Sequence, residues 1–246
     1  MTEKWLSDQA LATQLAALEE NYQIVTEQVA QAAKQAGRSP EKITLLAATK
    51  TVPVPVINRA VELGITCIGE NKVQELCQKY DQLQLQHCDC HFIGHLQTNK
   101  VKQIIGKVSM IHSVDSLKLA KEIARQSLQQ GITTNVLVEI NIGQEQSKGG
   151  IALEETEGFL EELAILQGIS VKGLMTIPPA QKTVTKTIPY FEKMYKKLVD
   201  IRDKKLDNIT MDCLSMGMSA DFTHAIAVGA TIVRVGSALF GQRIYQ

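Results

Sequence analysis

From residue 43 onward the chain repeats one arrangement: a short apolar run rich in β-branched residues, then a stretch with helical spacing. The runs that read as strands are 43–49, 65–69, 91–94, 109–113, 134–142, 169–175, 210–215 and 231–235. Helical spacing follows at 54–63, 70–80, 97–106, 116–130, 153–166, 188–205, 219–228 and 238–244. Strands that alternate with helices must lie parallel, because each helix carries the chain back to the end of the sheet where it started. Eight such units are the number that closes a (β/α)8 TIM barrel. A doubly wound open sheet is the alternative, but no glycine-rich dinucleotide fingerprint follows the first run. No linker or low-complexity segment interrupts the pattern, so one barrel domain is expected over residues 1–246.

Before the first strand, residues 6–36 show one long helical period. Leu11, Leu15, Leu18, Tyr22, Val25, Val29 and Ala33 recur at three- and four-residue steps, and Gly37 and Pro40 end it. Such a stripe is expected to lie against the barrel.

Charge and cysteine content narrow the function. Lys plus Arg equals Asp plus Glu at 26 each, with no basic block, so nothing points to nucleic acid. The longest apolar run, "AIAVGATIV" at 225–233, is far short of the ~20 residues of a membrane span. The start has no secretory-signal pattern, and the five cysteines are odd in number and irregularly spaced. Reduced thiols in a cytoplasmic protein are expected. "HCDCH" at 87–91 resembles a metal motif, but C-x-C entering a strand sends neighbouring side chains to opposite faces, so no metal is expected. Cys213, His112 and His224 read as packing residues, Trp5 as uninformative, and 182–189 as an exposed loop. A single barrel suggests a monomer.

Barrel enzymes and binding proteins place their working groups where strands end. Those positions here are Lys50, Glu70-Asn71, Gly94-His95, Ser113, Asn141, Met175-Thr176, Ser215 and Arg234, an unusually polar set to stand directly beyond apolar strands. In "ITLLAATK", Thr44, Leu46, Ala48 and Lys50 share a face, so Lys50 is expected at the barrel mouth. Partial desolvation there favours the neutral amine, a nucleophile able to form a Schiff base; a lysine reaching out to solvent is the plain alternative.

"SMGMSADF" places Ser215, Gly217 and Ser219 between the seventh strand and its helix, with Ser219 as a helix cap, and "RVGSALFG" places Gly236 and Ser237 after the eighth. Glycine lets an oxyanion approach the backbone, and hydroxyls and helix-terminal amides donate to it, in the two loops where barrels often bind phosphate. Each turn could also be only a turn. Arg234, between Val233 and Val235, is expected to face the barrel axis, either within a site or in an ion pair with Glu139. A Schiff-base lysine, a phosphate cup and an inward arginine describe a pocket for pyridoxal 5′-phosphate.

The stretches "AATKTVP", "IGENKVQE", "HFIGHLQTNKVK", "IHSVDS", "VEINIGQEQSKGG", "GLMTIPP", "LSMGMSADF" and "RVGSALFG" closely resemble the pyridoxal phosphate homeostasis proteins, across about Ile43 to Gly241. These are fold type III-like barrels related to the N-terminal domain of alanine racemase. The resemblance implies a Schiff base on Lys50 and a phosphate held by Ser219, Gly236 and Ser237 with Ser215 nearby. It further implies Arg234 at the pyridine nitrogen, with Asn71 and Met175 lining the ring. Some relatives carry a second lysine at the position of Val52, and "HFIG" is often followed by proline where this chain has His95. Lys148 is then either a second cofactor-handling lysine or a solvated one.

An arginine at the pyridine nitrogen discourages its protonation and weakens the ring as an electron sink. Alanine racemase compensates with bases on both faces, one from a second domain that is not expected here. The expected function is to buffer and deliver pyridoxal phosphate to apo-enzymes, with no catalytic residue assigned. A low-activity amino-acid racemase and a cofactor-free Schiff-base aldolase are the alternatives.

Overall fold

Eight strands close into one parallel barrel in chain order. They are β1 (Thr44–Ala48), β2 (Cys67–Glu70), β3 (Asp89–Phe92), β4 (Met110–Val114), β5 (Thr134–Glu139), β6 (Ile169–Met175), β7 (Ile209–Met218) and β8 (Ile232–Val235). The structure is a computed structural model and describes residues 8–181 and 183–241. The helices are α1 (Asp8–Gln35), α2 (Val54–Glu62), α3 (Val73–Lys79), α4 (Leu117–Gln129), α5 (Thr156–Ala164), α6 (Ile188–Arg202), α7 (Phe222–Val228) and α8 (Ser237–Phe240).

Period-two alternation divides the apolar residues into two layers. Leu46, Ala48, Cys67, Ile93, Met110, Leu137, Met175 and Ile232 fill the barrel interior. Their neighbours, such as Ala47, Ile68, Val136, Leu174 and Val233, meet the helices in the outer core. Thr44, Leu46 and Ala48 thus lie on the axis-facing side of β1, as the alternation requires. The tightest strand approach is at Gly173, with φ 155: a Cβ there would lie 1.7 Å from the Cys213 carbonyl. The β6–β7 register shifts at this point, because only glycine lets the two backbones come so close.

The helix α1 buries Leu18, Val25, Val29, Ala32 and Ala33 against the barrel's helical layer beside α2, α7 and α8. Each large side chain among them contributes roughly 1.5–3 kcal/mol of transfer free energy. Asn21 donates to the Leu239 carbonyl (3.1 Å), and Arg38 donates to those of Ile226 and Ala230 (2.8 Å each), tying the N-terminal segment to the last two barrel units.

Four expectations are corrected. Residues 97–106 form a 3-10 turn, Thr98–Gln103, in place of an α-helix; β-branched residues crowd the segment and Gly106 ends it at φ 81. β7 runs on to Met218, so Ser215 and Gly217 are strand residues and α7 begins only at Phe222. The stretch 182–189 is not all exposed loop: Val184–Thr187 is a 3-10 turn with Thr187 buried, and α6 starts at Ile188. Glu70 closes β2, which delays α3 to Val73. Residues 6–7 and 242–244 of the expected helices, and Trp5, lie outside the described residues.

Candidate functional site

Lys50 lies two residues beyond the end of β1 and is half-buried, between buried Thr49 and exposed Thr51. Its local backbone is held under strain. Thr51 has φ 62, the left-handed region that β-branched residues rarely enter, at a cost of order 1–3 kcal/mol. Two contacts hold it there: its N–H donates to Glu75 Oε1 (2.5 Å) and its hydroxyl to the Lys50 carbonyl (2.6 Å). Lys79 on α3 completes a buried network, donating to Glu75 Oε1 (2.6 Å), Glu70 Oε1 (2.9 Å) and the Thr49 carbonyl (3.0 Å). Thr49 Oγ1 donates to the same Glu70 oxygen (2.8 Å). Burial pushes the Glu70 carboxyl up despite the nearby ammonium. The residue expected among the polar strand ends is therefore a scaffold acid, held by Thr49 after β1 and by Lys79 on α3.

Arg234 is buried in the barrel interior, as its place between two outward valines requires. It donates to Ser215 Oγ (2.6 Å) and to the Thr176 carbonyl (2.9 Å). The ion pair with Glu139 does not form: among the described residues Arg234 has no carboxylate within 4.0 Å, and Glu139 acts at longer range. Burial lowers the guanidinium to about 10, and burial beside Asp115 raises Glu139 to about 7. Ser215 also meets His112 Nδ1 (3.1 Å), and His112 Nε2 meets His91 Nδ1 (3.0 Å). His112 and His91 are packing histidines only in part; both belong to a polar line through the barrel.

Ser219 is not the cap of α7, a position held by Asp221. With β7 extended, the Ser219 hydroxyl crosses to the β8–α8 turn and accepts from the amides of Gly236 and Ala238, both at 3.2 Å. Gly236 approaches the end of β1, its virtual Cβ 3.4 Å from the Ala48 carbonyl oxygen, so this turn adjoins the strand end that leads to Lys50. Ser237 opens α8 and is exposed. Beside Ser219 a hollow of about 470 Å³ opens between α1 and α7, lined by Gln28, Gln31 and Phe222.

Met175 is buried in the interior at the end of β6. Asn71 follows β2 directly, with its Oδ1 buried and unpartnered. Its backbone lies against Gly94, whose virtual Cβ would sit 2.0 Å from the Asn71 carbonyl oxygen. Lys148 is not simply solvated: it pairs with Glu145 and donates to the Pro178 carbonyl (3.1 Å). His95 is exposed, 3.9 Å from Asp115. In "HCDCH", Cys88 and Cys90 are buried in the outer core while His91 faces inward, and no cluster of three metal-ligating side chains occurs among the described residues. Cys213 is half-buried at the interior and His224 half-buried on α7.

Sequence reasoning missed the Glu70–Glu75–Lys79 network and the joining of His91, His112 and Ser215. The i,i+4 spacing of Glu75 and Lys79 was the available signal for the first. Inward parity of the two histidines on consecutive strands was the signal for the second.

Together these groups form a half-buried lysine after β1, a serine–amide turn beside the end of that strand, a buried guanidinium and a buried amide oxygen, on Asn71 just after β2, that has no hydrogen-bond partner. By its chemistry that set would fit a phosphorylated aromatic aldehyde: the Ser219 hydroxyl and the turn could meet an oxyanion, the guanidinium a ring acceptor and the amine a carbonyl carbon.

Residues 13–244 match the sequence profile of the alanine racemase N-terminal domain. A pyridoxal phosphate homeostasis protein of Aquifex aeolicus is 44% identical over 90% of this chain and 96% of its own length. The crystal structure of an unknown protein from Bifidobacterium adolescentis is 34% identical, with TM-score 0.89 over 97% of this chain and 98% of its own. PipY of Synechococcus elongatus PCC7942, solved with PLP bound, is 30% identical, with TM-score 0.75 over 87% of this chain and 100% of its own.

Proposed function

The chain belongs to the pyridoxal phosphate homeostasis protein family, within the alanine racemase N-terminal domain family, and on that premise we propose that it holds and releases pyridoxal 5′-phosphate. When bound, the cofactor supplies an aldehyde that condenses with a primary amine. Lys50 is the residue that would take it, at the mouth between the strained Thr51 turn and the amide cup of Gly236 and Ala238. Ser219, Gly236 and Ser237 would hold the phosphate, Arg234 would meet the ring nitrogen, and Asn71 and Met175 would flank the ring.

The observation that carries this reading is the placing of Gly236 against Ala48, which sets the serine–amide turn beside the end of the strand that leads to Lys50. Ionisable groups beside the backbone that flanks the lysine are tied to the scaffold: Glu70 and Glu75 are held by Lys79. Acids and bases so committed favour retention and release of the cofactor over turnover of an amino acid. A site at the strand C-termini, the end of a barrel where ligands enter, supports the further reading that the cofactor is delivered to apo-enzymes.

Borohydride reduction of the chain with pyridoxal phosphate, followed by peptide mass mapping, tests the attachment. A pyridoxyl adduct on Lys50, absent from Lys50→Ala, is expected; an adduct spread over surface lysines would overturn the assignment. Incubation with L-alanine and chiral analysis separates the racemase: turnover at ordinary enzymic rates would replace the carrier reading.

A further inference from the structure

We infer that His112 and His91 are positioning residues for Arg234, forming with Ser215 a polarised hydrogen-bond relay that crosses the barrel to a cavity at its opposite end. This rests on the proposed role of Arg234 toward the cofactor. The relay runs from Arg234 Nη1 to Ser215 Oγ (2.6 Å), then to His112 Nδ1 (3.1 Å), then from His112 Nε2 to His91 Nδ1 (3.0 Å). It uses side chains from β8, β7, β4 and β3, the inward positions of four strands.

Donor and acceptor chemistry sets its direction. The guanidinium only donates, so Ser215 Oγ accepts from it. Among the described residues the Ser215 hydroxyl proton has one acceptor, His112 Nδ1, because the Arg234 contact offers none. His112 must then carry its proton on Nε2 and donate to His91 Nδ1. His91 in turn carries its proton on Nε2, the nitrogen that makes no hydrogen bond among the described residues. That ring lines an open cavity of about 770 Å³ at the strand N-termini, together with Thr44, Cys67, Asp89 and Met110.

The alternative direction leaves the Ser215 proton buried without an acceptor, which is costly. Replacing one imidazole by an apolar side chain therefore frees Ser215 to turn away from the guanidinium, whose remaining contact is the Thr176 carbonyl. Among the described residues, the titratable and charged groups that act on the two rings are Cys67 on β2, Asp89 on β3 and Arg234 on β8, and Glu139 on β5 acts in turn on Arg234.

Ring 15N spectra of the full-length chain without cofactor, at neutral pH, test the direction. Both His112 and His91 are expected to be protonated on Nε2 and bare on Nδ1, and Ser215→Ala is expected to move the His112 Nδ1 resonance without moving that of exposed His87. A proton on His112 Nδ1, or no response to Ser215→Ala, would overturn the relay. With 15N-labelled pyridoxal phosphate bound, His112→Leu is expected to shift the pyridine nitrogen resonance and speed cofactor release about fivefold, with attachment to Lys50 retained. An unmoved nitrogen and an unchanged release rate would reduce the histidines to packing. A chain that binds no cofactor would instead sink the proposed function, while the ring spectra would still decide the relay.

Discussion

Lys79 Nζ stands 2.9 Å from Glu70 Oε1 and 3.0 Å from the carbonyl of Thr49, the residue that precedes Lys50. One ammonium thus neutralises a buried acid and fixes the backbone that aims the candidate amine. The pair is barely accessible to water, so it escapes the screening that makes surface ion pairs weak.

Removing that ammonium should cost stability. Lys79→Met leaves Glu70 buried without its partner, and urea unfolding should show a loss of about 3–5 kcal/mol. A loss below about 1 kcal/mol would mean that the network is energetically idle.

Relieving the strain beside Lys50 should separate stability from binding. Thr51→Gly removes a left-handed penalty of about 1–3 kcal/mol but adds about 1 kcal/mol of unfolded-state entropy, so unfolding free energy should stay level or rise slightly. Cofactor release, followed by visible absorbance after transfer to an apo-enzyme, should become several-fold faster. Unchanged release would show that the turn does not hold the lysine.

The approach of β3's end to Asn71 allows no side chain. Gly94→Ala would put a methyl group 2.0 Å from the Asn71 carbonyl oxygen, a backbone atom that cannot swing aside. A stability loss of about 1–3 kcal/mol and weaker cofactor binding are expected, measured by unfolding and by equilibrium titration. Full binding in the variant would remove Asn71 from the site.

Acid stability depends on two buried histidines opposed by one buried glutamate. Burial lowers His91 from 6.5 to about 4, an effect partly offset by Asp89, so the unfolded chain gains a proton first and stability falls as pH drops through that window. Buried His112, lowered by its burial, His91 and Arg234, adds in the same direction. Glu139 is raised from 4.5 to about 7, so its contribution is full below 4.5 and is lost as pH rises through 7. Glu139→Gln should therefore steepen the loss between pH 7 and 4.5, by at most about 1.4 kcal/mol per pH unit. Stability curves that stay parallel to the parent's would contradict this assignment.

The placement of two candidate-site residues was legible in the sequence. Lys50 stands two residues beyond Ala48 on an alternating strand, and Arg234 between two valines had to face the axis. The role of Ser219 was not legible. Its partners, Gly236 and Ala238, lie on the next barrel unit, and the extension of β7 to Met218 carried the serine across to them. Likewise Glu70 looked like a site acid until α3 brought Lys79 to it.

Periodicity by itself determined the number of strands, their parallel course, the layer each side chain enters and the end of the barrel where polar groups collect. These follow from local geometry, in which alternate residues face opposite ways and each helix returns the chain. Which polar groups join across strands was decided only by the closed barrel, through the stagger of its registers and the bulges in β7. Hydrogen bonds act over about 3 Å, and no local pattern specifies distances that small between residues as far apart as Ser215 and His112.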